Sequence, residues 1–138
     1  MEIVAGAVPT LDELLELYGS VGWTAYTDDP QRLVEAVRNS TWVLTARDDD
    51  GCLTGLARVV SDRATIAYVQ DVLVVPRSQG TGVGGALLDA VVDRCAGIRQ
   101  LVLMTDAEPR QRRFYESRGF REVHDVTPHP LRSFVRLS

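Results

Sequence analysis

Apolar residues recur at helical spacing through the first third of the chain. Thr10 followed by Glu13 has capping-box spacing, and Leu11, Leu14, Leu15 and Tyr18 follow at three- and four-residue intervals, so a helix is predicted from about Leu11 to Tyr18. A short strand, Ile3 to Ala7, is predicted just before it. Gly19 to Asp29 reads as a loop, because Gly19, Gly22 and Asp28-Asp29-Pro30 break any period and leave two aromatics, Trp23 and Tyr26, off a regular face. Pro30 suits a first helical position, and a second helix with Leu33, Ala36 and Val37 on one face runs from there to about Asn39.

From Thr41 the period shortens. Trp42 to Ala46, Leu53 to Val60 and Ala64 to Val75 are strand-like runs separated by turns at Asp48-Asp49-Asp50-Gly51 and Ser61-Asp62-Arg63, which is an antiparallel meander. The last run ends in Val72-Leu73-Val74-Val75, apolar on both faces, as a central strand covered from both sides requires. A glycine-rich turn follows. Beyond it Leu88, Val91, Val92 and Cys95 mark a helix that Gly97 can close, and Leu101-Val102-Leu103-Met104 is a further core strand. Strand, helix and strand in one sheet imply a right-handed crossover, hence parallel pairing with the run ending at Val75. A last helix is predicted from Pro109 to Gly119, then two short strands at about Phe120 to Val123 and Ser133 to Leu137. The fold class is α/β in the broad α+β sense: a mixed central sheet, antiparallel at first and parallel at the crossover, with helices on both faces.

Composition narrows the function. At 138 residues, 45% hydrophobic and 25% charged, the chain reads as one globular domain over 1–138. The net charge of −4, with basic residues scattered, argues against a nucleic-acid partner and gives a weak leaning toward cationic ones. No apolar run approaches the roughly 20 residues of a membrane span, and the start lacks a signal-like layout, so no membrane partner and a cytoplasmic location are expected. Cys52 and Cys95 form no close motif and are expected to be reduced; with only His124 and His129 for nitrogen ligands, no metal is expected.

The chemistry concentrates in Gln79-Gly80-Thr81-Gly82-Val83-Gly84. Alternate glycines between a buried strand and a helix leave backbone N–H groups at the positive end of a helix dipole, a setting for a phosphate or pyrophosphate. The same glycines could simply permit a tight turn. Gly80, Gly82 and Gly85 also satisfy the dinucleotide pattern G-x-G-x-x-G, with Asp106 about 20 residues on. Context tells against that reading: Pro76 to Gln79 separate strand from glycine, a meander precedes it, and too little chain follows Asp106 for the remaining parallel strands.

Val72-Leu73-Val74, then Gln79-Gly80-Thr81-Gly82-Val83-Gly84, an amphipathic helix, and Arg112-Arg113-Phe114-Tyr115-Glu116-Ser117-Arg118-Gly119-Phe120 together resemble the GNAT superfamily of acetyl-CoA-dependent N-acetyltransferases over about Thr41 to Phe120. Its signature Q/R-x-x-G-x-G/A is met by Gln79, Gly82 and Gly84. The resemblance implies that backbone amides from Gln79 to Gly84 (Gln79, Gly80, Thr81, Gly82, Val83, Gly84) hold the pyrophosphate of acetyl-CoA, the co-substrate. It implies that main-chain groups of Val72, Leu73 and Val74 pair with the pantetheine arm like an added strand, and that an N–H near Leu73 or Val74 stabilises the oxyanion. Tyr115 matches the tyrosine that protonates the departing thiolate, and neighbouring Phe114 and Tyr115 cannot both face one core. Relatives often carry Asn and Ala where this chain has Glu108 and Gln111, so Arg112 or Arg113 is expected to reach a phosphate instead.

The acceptor half is less constrained. An aliphatic amine must shed a proton before attack, and Asp71 is the first candidate base because it precedes the buried strand; its alternative is a structural aspartate. Glu108 and Tyr68 are weaker candidates. The resemblance places the loop holding Trp23, Tyr26 and Thr27 beside the acceptor pocket, although both aromatics could instead pack on the sheet. Three functions follow: acetylation of a small-molecule primary amine by direct attack, acetylation of a protein lysine or N-terminus, or a non-catalytic acyl-CoA-binding regulatory module. Tyr115 argues against the last, since coenzyme binding does not need it. The resemblance also allows a homodimer.

Overall fold

The computed structural model describes all 138 residues, which divide into two compact units, Met1–Met104 and Thr105–Ser138. The first holds a five-stranded sheet in the order β1 (Glu2–Ala5), β2 (Trp42–Arg47), β3 (Leu53–Ser61), β4 (Ile66–Val74), β5 (Gln100–Leu103). The first three pairings are antiparallel and the last, β4 with β5, is parallel. The meander and the crossover are therefore as the residue pattern predicts.

The helices of this unit are α1 (Leu11–Ser20), α2 (Thr24–Thr27), α3 (Pro30–Arg38) and α4 (Val83–Arg94). Thr10 and Glu13 form the capping box at α1, and Asp29 caps α3 by accepting from the Arg32 N–H at 3.2 Å. The stretch expected as an open loop contains α2, a single turn begun by the Trp23 carbonyl, which accepts the Tyr26 N–H at 3.1 Å. Gly6, at φ +97°, stops β1 two residues early.

Two apolar layers sandwich the sheet. Leu14, Leu17 and Tyr18 of α1 and Leu33 and Val37 of α3 pack with Leu56, Leu73 and Val75 on one face. Val83, Leu87 and Val91 of α4 pack with Leu44, Ala57, Val59 and Val69 on the other. Val72 and Val74 join the α4 side and Leu73 and Val75 the α1 side, as the doubly apolar run required. At Gly55 the α4 side has no room for a side chain: a Cβ there would lie 2.8 Å from Leu87 Cδ1 and 3.1 Å from Val83 Cγ1.

The second unit holds α5 (Pro109–Glu116) and a 3-10 turn at Val123–Asp125. The two strands expected at Phe120 to Val123 and Ser133 to Leu137 are not formed. Gly119 turns the chain at φ +85°, Pro128 and Pro130 cannot donate to a ladder, and residues 131–138 run irregular and exposed, with Phe134 89% accessible. No helix is long and apolar enough to cross a membrane. Cys52 is exposed and Cys95 buried, both as free thiols.

Candidate active site

After β4, Pro76–Ser78 make one 3-10 turn, and Gly80 and Gly82 adopt φ +77° and +96°, the left-handed region that favours glycine. Gly82 is the N-cap of α4, and no side chain caps that helix, so its leading N–H groups have no side-chain partner. A Cβ on either glycine would meet nothing within 4 Å. The requirement for glycine is thus one of conformation, and the backbone amides of the turn border open space. Gln79 acts through its side chain as well: Nε2 donates to the Val74 carbonyl at 3.0 Å and ties the turn to the strand end. Uncapped amides at the start of a three-turn helix suit the pyrophosphate of coenzyme A.

The strand before the turn offers a free edge. β5 pairs with β4 from Ile66↔Gln100 to Val69↔Leu103 and then ends, whereas β4 continues to Val74. At that point β4 also carries a bulge: Asp71 lies opposite Arg58 and Val69 opposite Val59, leaving Gln70 as the extra residue. The direction of the main chain beyond it follows from one bond, since the Val75 N–H donates to the Thr54 carbonyl of β3 at 2.9 Å. Alternate residues of an antiparallel strand turn both backbone groups to the same neighbour. Leu73 and Asp71 therefore face β3, and Val72 and Val74 face away, toward the side that β5 has left. Leu73 is corrected on this ground: its N–H is committed to the ladder and cannot meet a thioester, while those of Val72 and Val74 can.

The bulge sets Gln70 and Asp71 toward the α1 face together. Asp71 is 3% exposed and accepts from three donors: Tyr18 Oη at 2.9 Å, Tyr26 Oη at 3.0 Å and Arg58 Nε at 2.5 Å. Tyr26 in turn accepts from Gln70 Nε2 at 3.3 Å, and Arg58 Nη1 donates to Ser40 at 3.3 Å. Trp23 closes the group, its ring 5.8 Å from that of Tyr18 and 6.1 Å from that of Tyr26. Burial, then the Asp71 carboxylate, hold the Tyr18 phenol far above its ordinary value. Arg58 stays charged because Asp71 and Tyr26 outweigh the burial that would lower it. Asp71, predicted as the first candidate base, is enclosed by its donors and reaches an acceptor only through them. Trp23 and Tyr26 both pack on the core beneath α1, and Thr27 lies half-buried beside them.

In the second unit Tyr115 sits on α5, half-buried, its ring edge-on to Phe114 at 5.0 Å and to Phe120 at 5.9 Å. Phe114 is half-buried too, so the expected division into a core ring and a free ring does not separate them. Burial, then the Asp106 carboxylate, raise the Tyr115 phenol, which keeps its proton throughout the neutral range. Arg112 requires correction as a phosphate ligand. Its guanidinium is engaged by Glu116 at 2.9 Å, Glu122 at 2.5 Å and Asp125 at 2.6 Å, an acidic setting that opposes an anion. His124 joins the same network, 3.0 Å from Glu122. Arg113 is exposed and carries no ion pair.

Two members of the buried cluster were not singled out by sequence reasoning. Tyr18 looks like one more apolar helix position, and its hydroxyl partner lies 53 residues away. Arg58 had a signal: it is the only charged residue between Leu53 and Val60, and a charge at an inward strand position needs a partner.

The profile of the family described as Acetyltransferase (GNAT) domain matches residues 17–129. An uncharacterised N-acetyltransferase ycf52 of Pyropia yezoensis is 31% identical over 114 residues, covering 80% of this chain and 64% of that one. A ycf52-like relative from Prochlorococcus marinus is 34% identical over 124 residues, 85% of this chain and 67% of its own. The chain thus spans about two thirds of the length of these relatives. Among solved structures, the GNAT family protein SP0256 of Streptococcus pneumoniae superposes with a TM-score of 0.81 at 28% identity, covering 99% of this chain and 98% of that one. With the parting strands, the bulge and the uncapped glycine turn already in place, these matches show that the chain belongs to the GNAT acetyltransferases.

Proposed function

We propose that this protein transfers the acetyl group of acetyl-CoA to a primary amine of a small molecule by direct attack, with no covalent enzyme intermediate. The observation that carries the proposal is the free edge of β4 beside an uncapped glycine turn: the two are contiguous along the chain, as the pantetheine arm and pyrophosphate of one coenzyme are contiguous. Acetyl-CoA supplies the activated thioester. Amides from Gln79 to Gly84 bind the pyrophosphate, and the outward backbone groups of Val72 and Val74 pair with the arm and point an N–H at the carbonyl oxygen, where negative charge develops on attack.

The amine lone pair attacks the carbonyl carbon, the C–S bond breaks, and the thiolate takes a proton. Tyr115 is assigned the role of its donor on the match of Phe114-Tyr115 to the family motif. A phenol raised above its usual value holds its proton at neutral pH and still gives it to a thiolate only if the two are hydrogen-bonded as the sulfur leaves. The attacking nitrogen loses its own proton to water, since Asp71 is enclosed. The short segment around Trp23 and Tyr26 is folded onto the core, and we take so little chain beside the site to favour a small acceptor over a peptide. The test is thiol release from acetyl-CoA with n-butylamine, 1,4-diaminobutane and benzylamine, followed for wild type and Tyr115→Phe. Amine-dependent release is expected, with kcat in the variant lowered about 10²-fold or more and the acetyl-CoA KM little changed. Equal kcat in the two proteins removes Tyr115 as the acid.

A further inference from the structure

We infer that Tyr68 is the residue that receives the acceptor, its hydroxyl accepting a hydrogen bond from the attacking amine; this rests on the acetyltransferase reading above. Tyr68 pairs with Val102 one residue before β4 and β5 part, at the vertex of the opening. Ala67 and Val69 on either side of it are buried against α4, so the alternation of the strand sends Tyr68 to the opposite face, where Tyr18, Tyr26 and Asp71 lie. Three tyrosines thus share this face, and two have spent their hydroxyls. Tyr18 and Tyr26 both donate to Asp71, and Tyr26 also accepts from Gln70. The buried Asp71 carboxylate is engaged on both oxygens, Oδ1 by Tyr26 and Oδ2 by Tyr18 and Arg58.

Tyr68 is different. It is half-buried and its hydroxyl makes no hydrogen bond within the protein. Burial, then the nearby Asp71 carboxylate and Tyr26, raise its phenol, which keeps its proton at neutral pH. From Tyr68 to Val72, whose N–H faces the opening, is roughly 10–13 Å along the strand. A tyrosine side chain spans part of that distance, and the acceptor amine bridges the rest to the thioester carbonyl that the proposed coenzyme site sets at the Val72 N–H. The acceptor is an amine whose N–H donates to the Tyr68 oxygen while its lone pair stays free to attack; one that arrives as ammonium gives a proton to water first. Tyr68 is in this account an acceptor-binding residue and takes no proton.

The experiment compares wild type with Tyr68→Phe, which removes one oxygen and keeps the ring. Acetyl-CoA binding is measured by calorimetry, folding by thermal melting, and acetylation of n-butylamine, 1,4-diaminobutane and benzylamine by thiol release. Expected is a KM for the best of these amines raised about tenfold, the effect of one lost hydrogen bond, with acetyl-CoA affinity within twofold and an unshifted melt. A purely structural tyrosine would move the melt and leave the amine KM alone. An unchanged amine KM overturns the proposal, as does a wild type that binds acetyl-CoA and acetylates none of the amines. Failure of the wild type to bind acetyl-CoA at all is a separate result, which defeats the donor reading itself.

Discussion

Replacing Asp71 with asparagine tests whether the buried cluster is held by charge. Asn keeps the shape and one acceptor oxygen but leaves Arg58, 7% exposed, without a counter-ion. Removing one partner of a buried pair costs about 3–5 kcal/mol, because the remaining charge stays desolvated. The lost Tyr26 bond lies at the half-exposed rim and adds at most about 1 kcal/mol. Against a stability of about 5–15 kcal/mol for a domain of this size, that is a large fraction and corresponds to a fall in Tm of about 10–20 °C. Urea unfolding at pH 7 measures it directly. The sharper measurement is Arg58→Met combined with Asp71→Asn. With the orphaned charge gone, the Asn oxygen can still take the Tyr18 proton, so the double variant should be about 2 kcal/mol more stable than Asp71→Asn alone. A loss below about 1 kcal/mol in the single variant, or a double variant as unstable as the sum of the two singles, refutes the argument that this ion pair is buried and mutually dependent. Were Asp71 instead an accessible base, the single variant would lose kcat and keep its stability.

Two further predictions concern the frame around the site. Hydrogen bonding from Arg47, with help from Thr10, lowers the Glu13 carboxyl from 4.5 to about 2, so its contribution is full above about pH 5 and is lost as the pH falls toward 2. Glu13→Gln, which preserves the capping box, should cost about 1 kcal/mol at pH 7 after allowance for solvent at this partly exposed pair, and nothing near pH 2. A penalty that does not change with pH would contradict it. Gly55→Ala should cost about 1–3 kcal/mol in urea unfolding, because the new methyl would press on Leu87, Val83 and the Leu73 carbonyl, and a midpoint equal to wild type would show that α4 sits less tightly on β3.

The elements were legible because their signals are local. A capping box at Thr10 and Glu13, Pro30 at a helix start and the doubly apolar Val72-Leu73-Val74-Val75 each state their own structure within a few residues. The strands expected at Phe120 to Val123 and Ser133 to Leu137 failed for the complementary reason: strand-forming residues do not make a strand without a partner edge, and nothing local says whether one is supplied. Arg112 differs: its i+4 partner Glu116 is local and readable, but Glu122 and Asp125 reach it only because the chain turns back after Gly119, which nothing near Arg112 announces.

The bulge at Gln70 shows how far a single extra residue can reach. Without it the strand would keep one alternation from Ile66 to Val75, so a main chain that turns Val69 toward β5 would turn Leu73, and not Val72 and Val74, to the open side. The side chains would shift with it: Gln70 and Asp71 would stand on opposite faces, and Tyr26 could not bond both. One extra residue thus decides which amides reach the thioester and which face carries the buried ion pair. The sequence around it, Tyr68-Val69-Gln70-Asp71-Val72, sets two polar residues side by side, which breaks the alternation without saying which of them is unmatched. What marks the break is the pairing of Arg58 on β3 with Asp71 on β4, two charges that lie opposite each other only if one residue between Val69 and Asp71 goes unmatched. The ion pair and the bulge therefore select each other, and a variant that loses the pair while retaining its fold should lose the alignment of the Val72 amide before it loses the coenzyme.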